Sequence, residues 1–142
     1  MNIEFKLAFQ VVDSNLGIKK EELESQKRNH RFIVGRAIFV KLMKDYLDTP
    51  WTQLGKALGD RNHATIINSY NTADSMMLDA GFRMMYSDCA QDFVNGMVKN
   101  GFQSTFSLEL AVLENIEYAN TISERILVLK KYMETADKTE VV

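Results

Sequence analysis

The chain has 142 residues, of which 46% are hydrophobic and 25% are charged, and its formal net charge is −2. This hydrophobic share is enough to fill a globular core. No apolar run approaches the roughly 18 residues that a membrane-spanning helix requires. The lone cysteine, Cys89, excludes an intrachain disulfide and provides no zinc-ligand cluster. We therefore expect a cytoplasmic protein that has no membrane partner and uses no metal or other cofactor.

The net charge conceals an uneven distribution of charged residues. Residues 25–63 hold 8 basic and 3 acidic side chains, a local charge of +5, whereas residues 76–142 hold 6 basic and 10 acidic side chains, a charge of −4. Screening limits the reach of each charge to about 8–10 Å in physiological salt. The local basic region, and not the overall charge, therefore decides whether the chain can bind phosphates.

Hydrophobic periodicity is helical almost throughout, which predicts an all-α fold. The first helix is expected over residues 3–15, with Gly17 as its C-terminal glycine. A short second helix is expected at 19–24. A polar, basic loop at 25–31 then leads into a third helix over 32–47.

A short helix is predicted from Trp51 to Leu58. Thr49 is expected to be its N-cap, followed by Pro50 at the first helical position, where the missing N–H costs nothing. Trp51, Leu54 and Leu58 are expected to be buried.

A tight turn at Gly59 and Asp60 leads into the next helix, which is predicted from about His63 towards Leu78 or beyond. Asn62 can cap this helix or bond an adenine edge, but one rotamer cannot do both. In a helix-turn-helix the second helix enters the major groove, which is about 12 Å wide, while the first lies across the DNA backbone. With a basic segment upstream, the pattern predicts binding to double-stranded DNA.

Basic and polar side chains in and around this pattern are predicted to contact DNA. They are Lys27, Arg28, Arg31, Arg36, Lys44, Arg61, Asn62, His63, Ala64, Thr65 and Asn68. A loop arginine such as Arg28 can enter a narrow minor groove, where the negative potential is enhanced. Arg61 suits a phosphate or a guanine, and Ala64 offers a methyl group to thymine. Lys41 and Lys56 are expected to be solvated surface residues.

Residues from about Ile3 to Ala73 resemble the C-terminal DNA-binding domain of the bacterial DnaA replication initiator family. The resemblance rests on Gly59, Arg61, His63 and Thr65, which reproduce a Gly-x-Arg-x-His-x-Thr signature. It implies a small helical unit related to the Trp repressor, with origin binding in replication initiation or its regulation as its function. It also implies that Arg28 contacts the minor groove, that Arg36 and Lys44 contact backbone or bases, and that the signature residues face the origin box.

The chain departs from that family at three reading positions. Asn62 stands where the family has aspartate, Ala64 where it has threonine, and Asn68 where it has histidine. Each good base contact contributes roughly 1–3 kcal/mol of discrimination, so these changes alter base readout. The sequence also has no Gly-x-x-x-x-Gly-Lys-Ser/Thr loop to cradle ATP phosphates. We therefore expect a DNA-reading module of phage or mobile-element type, and not an enzyme.

The second half of the chain is helical but less informative. We predict a DNA-binding domain at residues 1–75 and a helical extension at 76–142. An apolar stripe over residues 107–133 either packs within the chain or meets a second copy or a protein partner. Two other functions stay open: a transcriptional regulator with the same helix-turn-helix, and a protein-interaction module that uses it as a scaffold. A catalytic cluster of His63, Asp60 and Thr65 is disfavoured because a solvent-facing helix start offers no pocket.

Overall fold

The computed structural model describes residues 2–101 of the chain. Its helices are α1 (Ile3–Leu16), α2 (Lys20–Glu24), α3 (His30–Leu47), α4 (Trp51–Ala57), α5 (His63–Met76) and α6 (Ala80–Lys99). All regular secondary structure in this part of the chain is α-helical, which confirms the predicted fold class. None of these helices is both long and apolar enough to span a membrane.

The chain divides into two compact units, Met1–Phe93 and Val94–Val142. The apolar stripe predicted at 107–133 lies outside the described residues. The predicted domain boundary at residue 75 and the role of the extension stay predictions.

Helix α1 has a defined cap at each end. Its N-cap is Asn2, whose side-chain oxygen accepts a hydrogen bond from the backbone N–H of Phe5 at 2.9 Å. At the other end Gly17 adopts the left-handed conformation (φ 69°), as its position in the sequence predicts. The guanidinium of Arg31 donates to the carbonyls of Leu16 and Gly17, both at 2.8 Å. This side chain therefore joins the end of α1 to the start of α3.

Helix α3 is the central element of the first unit and contacts α1, α2 and α5. Every residue from Gly35 to Met43 is buried, so this stretch of α3 is enclosed on all sides. The ring of Phe39 packs against those of Phe5 and Phe9, with centroid distances of 6.2 Å and 4.4 Å. The core therefore forms around α3, and α5 packs against α3.

The start of α4 differs from the prediction. Pro50 is the N-cap, and Thr49 lies one position outside the helix. The buried hydroxyl of Thr49 donates to the carbonyl of Met43 at 3.1 Å, which satisfies an acceptor at the end of α3. Thr49 thus completes the preceding helix instead of beginning the next one.

Burial in α4 agrees with the prediction at Leu54 and Leu58, which are fully buried, but not at Trp51. Trp51 is only partly buried. Its ring meets that of Tyr70 edge to face at 5.6 Å, and the ammonium of Lys44 lies 4.3 Å from its centroid. Trp51 therefore lies at the edge of the core, where its indole ring contacts the ammonium group of Lys44.

Lys41 corrects a second expectation, because it is buried instead of solvated. Its ammonium lies 2.8 Å from the carboxylates of both Asp45 and Asp74. The hydroxyls of Tyr70 and Tyr86 donate to Asp45 at 2.6 Å and 3.1 Å. Burial by itself would lower the pKa of Lys41, but the hydrogen bonds to the two carboxylates outweigh it and raise that pKa. These five residues, the Lys41 cluster, tie together α3, α5 and the first half of α6.

Candidate nucleic-acid interface

The turn between α4 and α5 is closed by two glycines. The backbone N–H of Arg61 donates to the carbonyl of Gly55 at 2.9 Å, and a Cβ on Gly55 would lie only 2.0 Å from the Arg61 carbonyl oxygen. Gly59 has φ 79°, and its Cβ would lie 2.3 Å from the carbonyl oxygen of Glu24. Asp60 follows in the left-handed region at φ 59°. The predicted turn at Gly59 and Asp60 is confirmed. Neighbouring backbone oxygens lie so close to Gly55 and Gly59 that neither position has room for a Cβ atom.

Helix α5 begins with a side-chain cap. The Oδ1 atom of Asn62 accepts from the backbone N–H of Thr65 at 2.9 Å and from its hydroxyl at 3.0 Å. The choice left open by the sequence is therefore settled: Asn62 is the N-cap, and its carbonyl oxygen is occupied. The helix ends at Met76, at least two residues before the predicted end at Leu78 or beyond.

The outer face of α5 is polar and uncharged. His63, Ala64, Thr65 and Asn68 are all exposed. On the opposite side Ile66 is fully buried, and α5 packs against α3 and α4. The residues predicted to read bases therefore share one accessible face.

Arg36 does not lie on the surface, in contrast to the predicted phosphate contact. Only 5% of it is exposed. Its Nε donates to the carbonyl of Leu23 at 2.8 Å, and its Nη2 donates to that of Ser25 at 2.7 Å and that of Glu22 at 3.3 Å. The prediction is corrected: the guanidinium satisfies the free carbonyls at the end of α2, where a cation is favoured.

Arg61 is engaged in the same way, although a phosphate or guanine contact was expected. Its guanidinium donates to the carbonyls of Leu58 and Ser25, and to that of Leu23 at 3.3 Å. We call Arg36 and Arg61, with the carbonyls they hold, the arginine clamp. The clamp fastens the end of α2 to α3 and to the turn before α5.

The clamp concentrates positive charge at the start of the basic loop. Burial, followed by the nearby positive charges of Arg61 and Arg28, lowers the pKa of Arg36 to about 10. Burial also lowers the pKa of Arg61. Both guanidiniums remain protonated at neutral pH. Together with Arg28, they place three positive charges near one another at the start of the basic loop.

A cleft of about 520 Å³ lies between the basic loop and the outer face of α5. Its lining is formed by Gln26, Arg28, Ile33, Arg36, Asp60, Arg61, Asn62, Thr65, Asn68, Ser69 and Thr72. The fold therefore brings Arg28, which is distant in sequence, beside the exposed polar face of α5. A shallower hollow continues along the same helix past Asn71 and Ser75.

The remaining predicted cations fall into two groups. Lys27 and Arg28 are exposed, and neither has a hydrogen-bond or ion-pair partner among residues 2–101. Lys44, by contrast, pairs with Asp48 at 2.9 Å, and Arg31 caps α1. Arg28 therefore lines the cleft together with residues of α5. Lys44 is instead engaged at the end of its own helix, α3, and Arg31 at the end of α1.

The predicted DNA contacts did not include five of the lining residues, namely Gln26, Ile33, Asp60, Ser69 and Thr72. Ser69 and Thr72 follow Thr65 at intervals of four and seven residues, so they lie on the same helical face. That spacing is visible in the sequence and would have identified them.

Comparison with protein families matches residues 7–72 to the family described as the bacterial DnaA protein helix-turn-helix. Residues 7–72 form a DnaA-type helix-turn-helix domain. The match runs from within α1 to within α5 and so includes the arginine clamp, the turn and most of the exposed face of α5.

Curated relatives agree with this assignment. The chromosomal replication initiator protein DnaA of Streptococcus uberis is 25% identical over 63 residues, or 44% of this chain. The protein of the same name from Streptococcus mutans is 28% identical over 61 residues, or 43% of this chain. The matched region spans only 14% of the length of either relative. No solved structure matches the chain.

Proposed function

We propose that the DnaA-type domain binds double-stranded DNA, with the first turn of α5 in the major groove. The observation that carries this proposal is the cleft, in which the exposed Arg28 lies beside the uncharged, hydrogen-bonding face of α5. A cation next to a polar helix face matches the two tasks of a DNA reader. Phosphate contacts hold the protein in register, and base contacts provide sequence preference.

The arginine clamp supports the proposal by fixing where the basic loop begins. Both guanidiniums bond the carbonyl of Ser25, so the loop leaves the body of the domain from a fixed point two residues before Lys27. A loop anchored in this way loses less conformational freedom on binding than a free one. Arg36 and Arg61 thus act as positioning residues, while Lys27 and Arg28 are the cations available to DNA.

The wider role that we propose is replication initiation or its regulation in the cytoplasm. Support comes from the curated relatives, which are named chromosomal replication initiator proteins. The 142 residues contain no phosphate-cradling loop for ATP. We therefore assign the chain DNA reading alone.

The test is a binding measurement with a single-charge variant and a matched control. Binding of a labelled random-sequence duplex pool is followed by anisotropy for the wild-type chain, Arg28→Ala and Lys6→Ala. Lys6 is exposed on α1 and does not line the cleft, so its substitution removes the same charge elsewhere. Arg28→Ala should weaken binding about tenfold, equivalent to about 1.4 kcal/mol, and Lys6→Ala less than about twofold.

Two results would reject the proposal. The first is a wild-type chain that binds no duplex at physiological salt, which would favour the protein-interaction module. The second is an equal loss in both variants, because the cleft would then have no special part in binding. If duplexes are bound, their enriched motif separates an origin-like site from that of a transcriptional regulator.

A further inference from the structure

The hydrogen-bonding atoms on the exposed face of α5 differ in availability. Arg61, which lines the cleft beside this face, is held by carbonyls in the arginine clamp. The Oδ1 of Asn62 is occupied by the cap, and the hydroxyl hydrogen of Thr65 is donated to that same atom. Asn68 is exposed, and its carboxamide has no partner among residues 2–101. Within residues 2–101, both its donor and its acceptor are therefore free.

The side chains available along α5 suit A·T pairs better than G·C pairs. Guanine is most often read by arginine or lysine, which donate to O6 and N7 together. From residue 62 to 76 the sequence has no arginine or lysine. Adenine instead presents an N7 acceptor and an N6 donor, which a carboxamide matches with two hydrogen bonds, and a small methyl group suits the thymine methyl. Asn68 and Ala64 provide these two groups.

We propose that Asn68 is the adenine-reading residue of this domain, and that Ala64 contacts a thymine methyl nearby. The inference rests on the proposed DNA binding and names the bases selected. Ala64 and Asn68 are four residues apart, so they lie on the same helical face with a rise of about 6 Å between them. That rise corresponds to about two base-pair steps. The selected site therefore contains an A·T pair under each of these residues.

His63 does not change this preference. It is exposed at the first position of α5. A neutral imidazole donates one hydrogen bond, which either purine accepts at N7. His63 can therefore favour a purine, but it does not distinguish guanine from adenine as a two-point contact does.

The experiment selects bound duplexes from a random pool with the wild-type chain, Asn68→Ala and Asn95→Ala. Asn95 is the matched control, because it is an exposed asparagine within helix α6 and lines neither the cleft nor the hollow beside it. Asn68→Ala should abolish the preference for adenine at one position of the enriched motif, while Asn95→Ala leaves the motif unchanged. Alanine is the better helix former at an exposed helix position, so neither variant should melt earlier than the wild type.

A base substitution in the selected duplex provides the second arm. 7-Deazaadenine lacks the N7 acceptor, so placing it at the identified position should weaken wild-type binding about tenfold and leave Asn68→Ala binding unchanged. The inference alone fails if the wild type binds a defined motif that Asn68→Ala preserves, or if that position selects guanine. If the wild type enriches no duplex, the proposed function fails as well.

Discussion

The ammonium nitrogen of Lys41 lies 2.8 Å from a carboxylate oxygen of Asp74, thirty-three residues further along the chain. This contact joins the middle of α3 to the last turn of α5. The orientation of α5 is thus fixed at both ends, by the turn at Gly59 and Asp60 before its start and by the Lys41 cluster near its end. Both supports can be tested separately from DNA binding.

Asp74→Ala should lower the free energy of unfolding by about 1 kcal/mol. Lys41 is buried and keeps Asp45 as a partner, whereas the Asp74 side chain is 50% exposed, so the loss lies below the usual range for a charged hydrogen bond. Urea denaturation measures the change, with Asp88→Ala in α6 as an exposed acidic control. Equal effects of the two substitutions would contradict a stabilising role for the Lys41–Asp74 pair.

Alkaline pH should destabilise the domain through Tyr70. The hydrogen bond to Asp45, with burial second, raises the pKa of Tyr70 from 10.0 to about 12. The folded state then keeps a proton that the unfolded state loses, so this contribution is complete below pH 10 and is lost as the pH rises towards 12. The raised pKa of Lys41 acts in the same direction above pH 10.5.

Melting temperatures from pH 8 to 11.5 check this sign for the wild type and for Tyr70→Phe. The variant lacks the ionisable hydroxyl, so its melting temperature should fall less steeply above pH 10. Parallel curves would show that Tyr70 does not carry the alkaline effect.

Gly55→Ala should destabilise the turn by about 1–3 kcal/mol, because the new methyl would lie 2.0 Å from the backbone oxygen of Arg61 and the turn must move. Gly81→Ala is the control, since its methyl meets only a side-chain oxygen of Asp79 at 3.2 Å. Thermal unfolding should therefore separate the two alanine variants. A Gly55→Ala chain as stable as the Gly81→Ala chain would mean that the close packing of the turn is dispensable.

Trp51→Ala should cost about 1–2 kcal/mol, below the 3–5 kcal/mol typical of a buried aromatic residue, because Trp51 is only partly buried. Leu54→Ala is the comparison: Leu54 is fully buried, and its loss should cost about 2–5 kcal/mol. Chemical denaturation of both variants decides the order. A larger loss for Trp51 would place its ring in the core after all.

The salt dependence of DNA binding should be modest. Arg36, Lys41 and Arg61 are bound within the protein, and Arg31 and Lys44 are engaged at helix ends, so few of the eight cations between residues 25 and 63 remain available for phosphates. With about two or three phosphate contacts, the slope of log K against log salt should be about −2 to −3. A titration from 50 to 300 mM salt measures it. A slope steeper than about −6 would require the clamp arginines to release their carbonyls.

Most helix positions could be predicted because their signals are local. Gly17 ends α1 and Asn62 begins α5 through interactions that span only a few residues. The mistaken N-cap at Thr49 shows the limit of such signals, because the partner of its hydroxyl is the end of the preceding helix.

The roles of Arg36 and Lys41 could not be read from a local pattern. Both lie on α3, which is enclosed by α1, α2 and α5, so a basic residue there must find internal acceptors. One signal was present: Arg36 follows Phe32 by four residues and precedes Phe39 by three, which places it in an apolar stripe. Arg36 meets a carbonyl of α2, and Lys41 meets the carboxylate of Asp74, only once the chain has folded.

The internal bonding of Arg61 limits how the proposed DNA-binding domain could be redesigned for another target sequence. Libraries that randomise the whole signature would lose many members to misfolding, since residue 61 belongs to the scaffold. Diversity confined to positions 63, 64, 65 and 68 would leave the framework intact, and an arginine or lysine introduced at position 68 is the simplest route to guanine recognition.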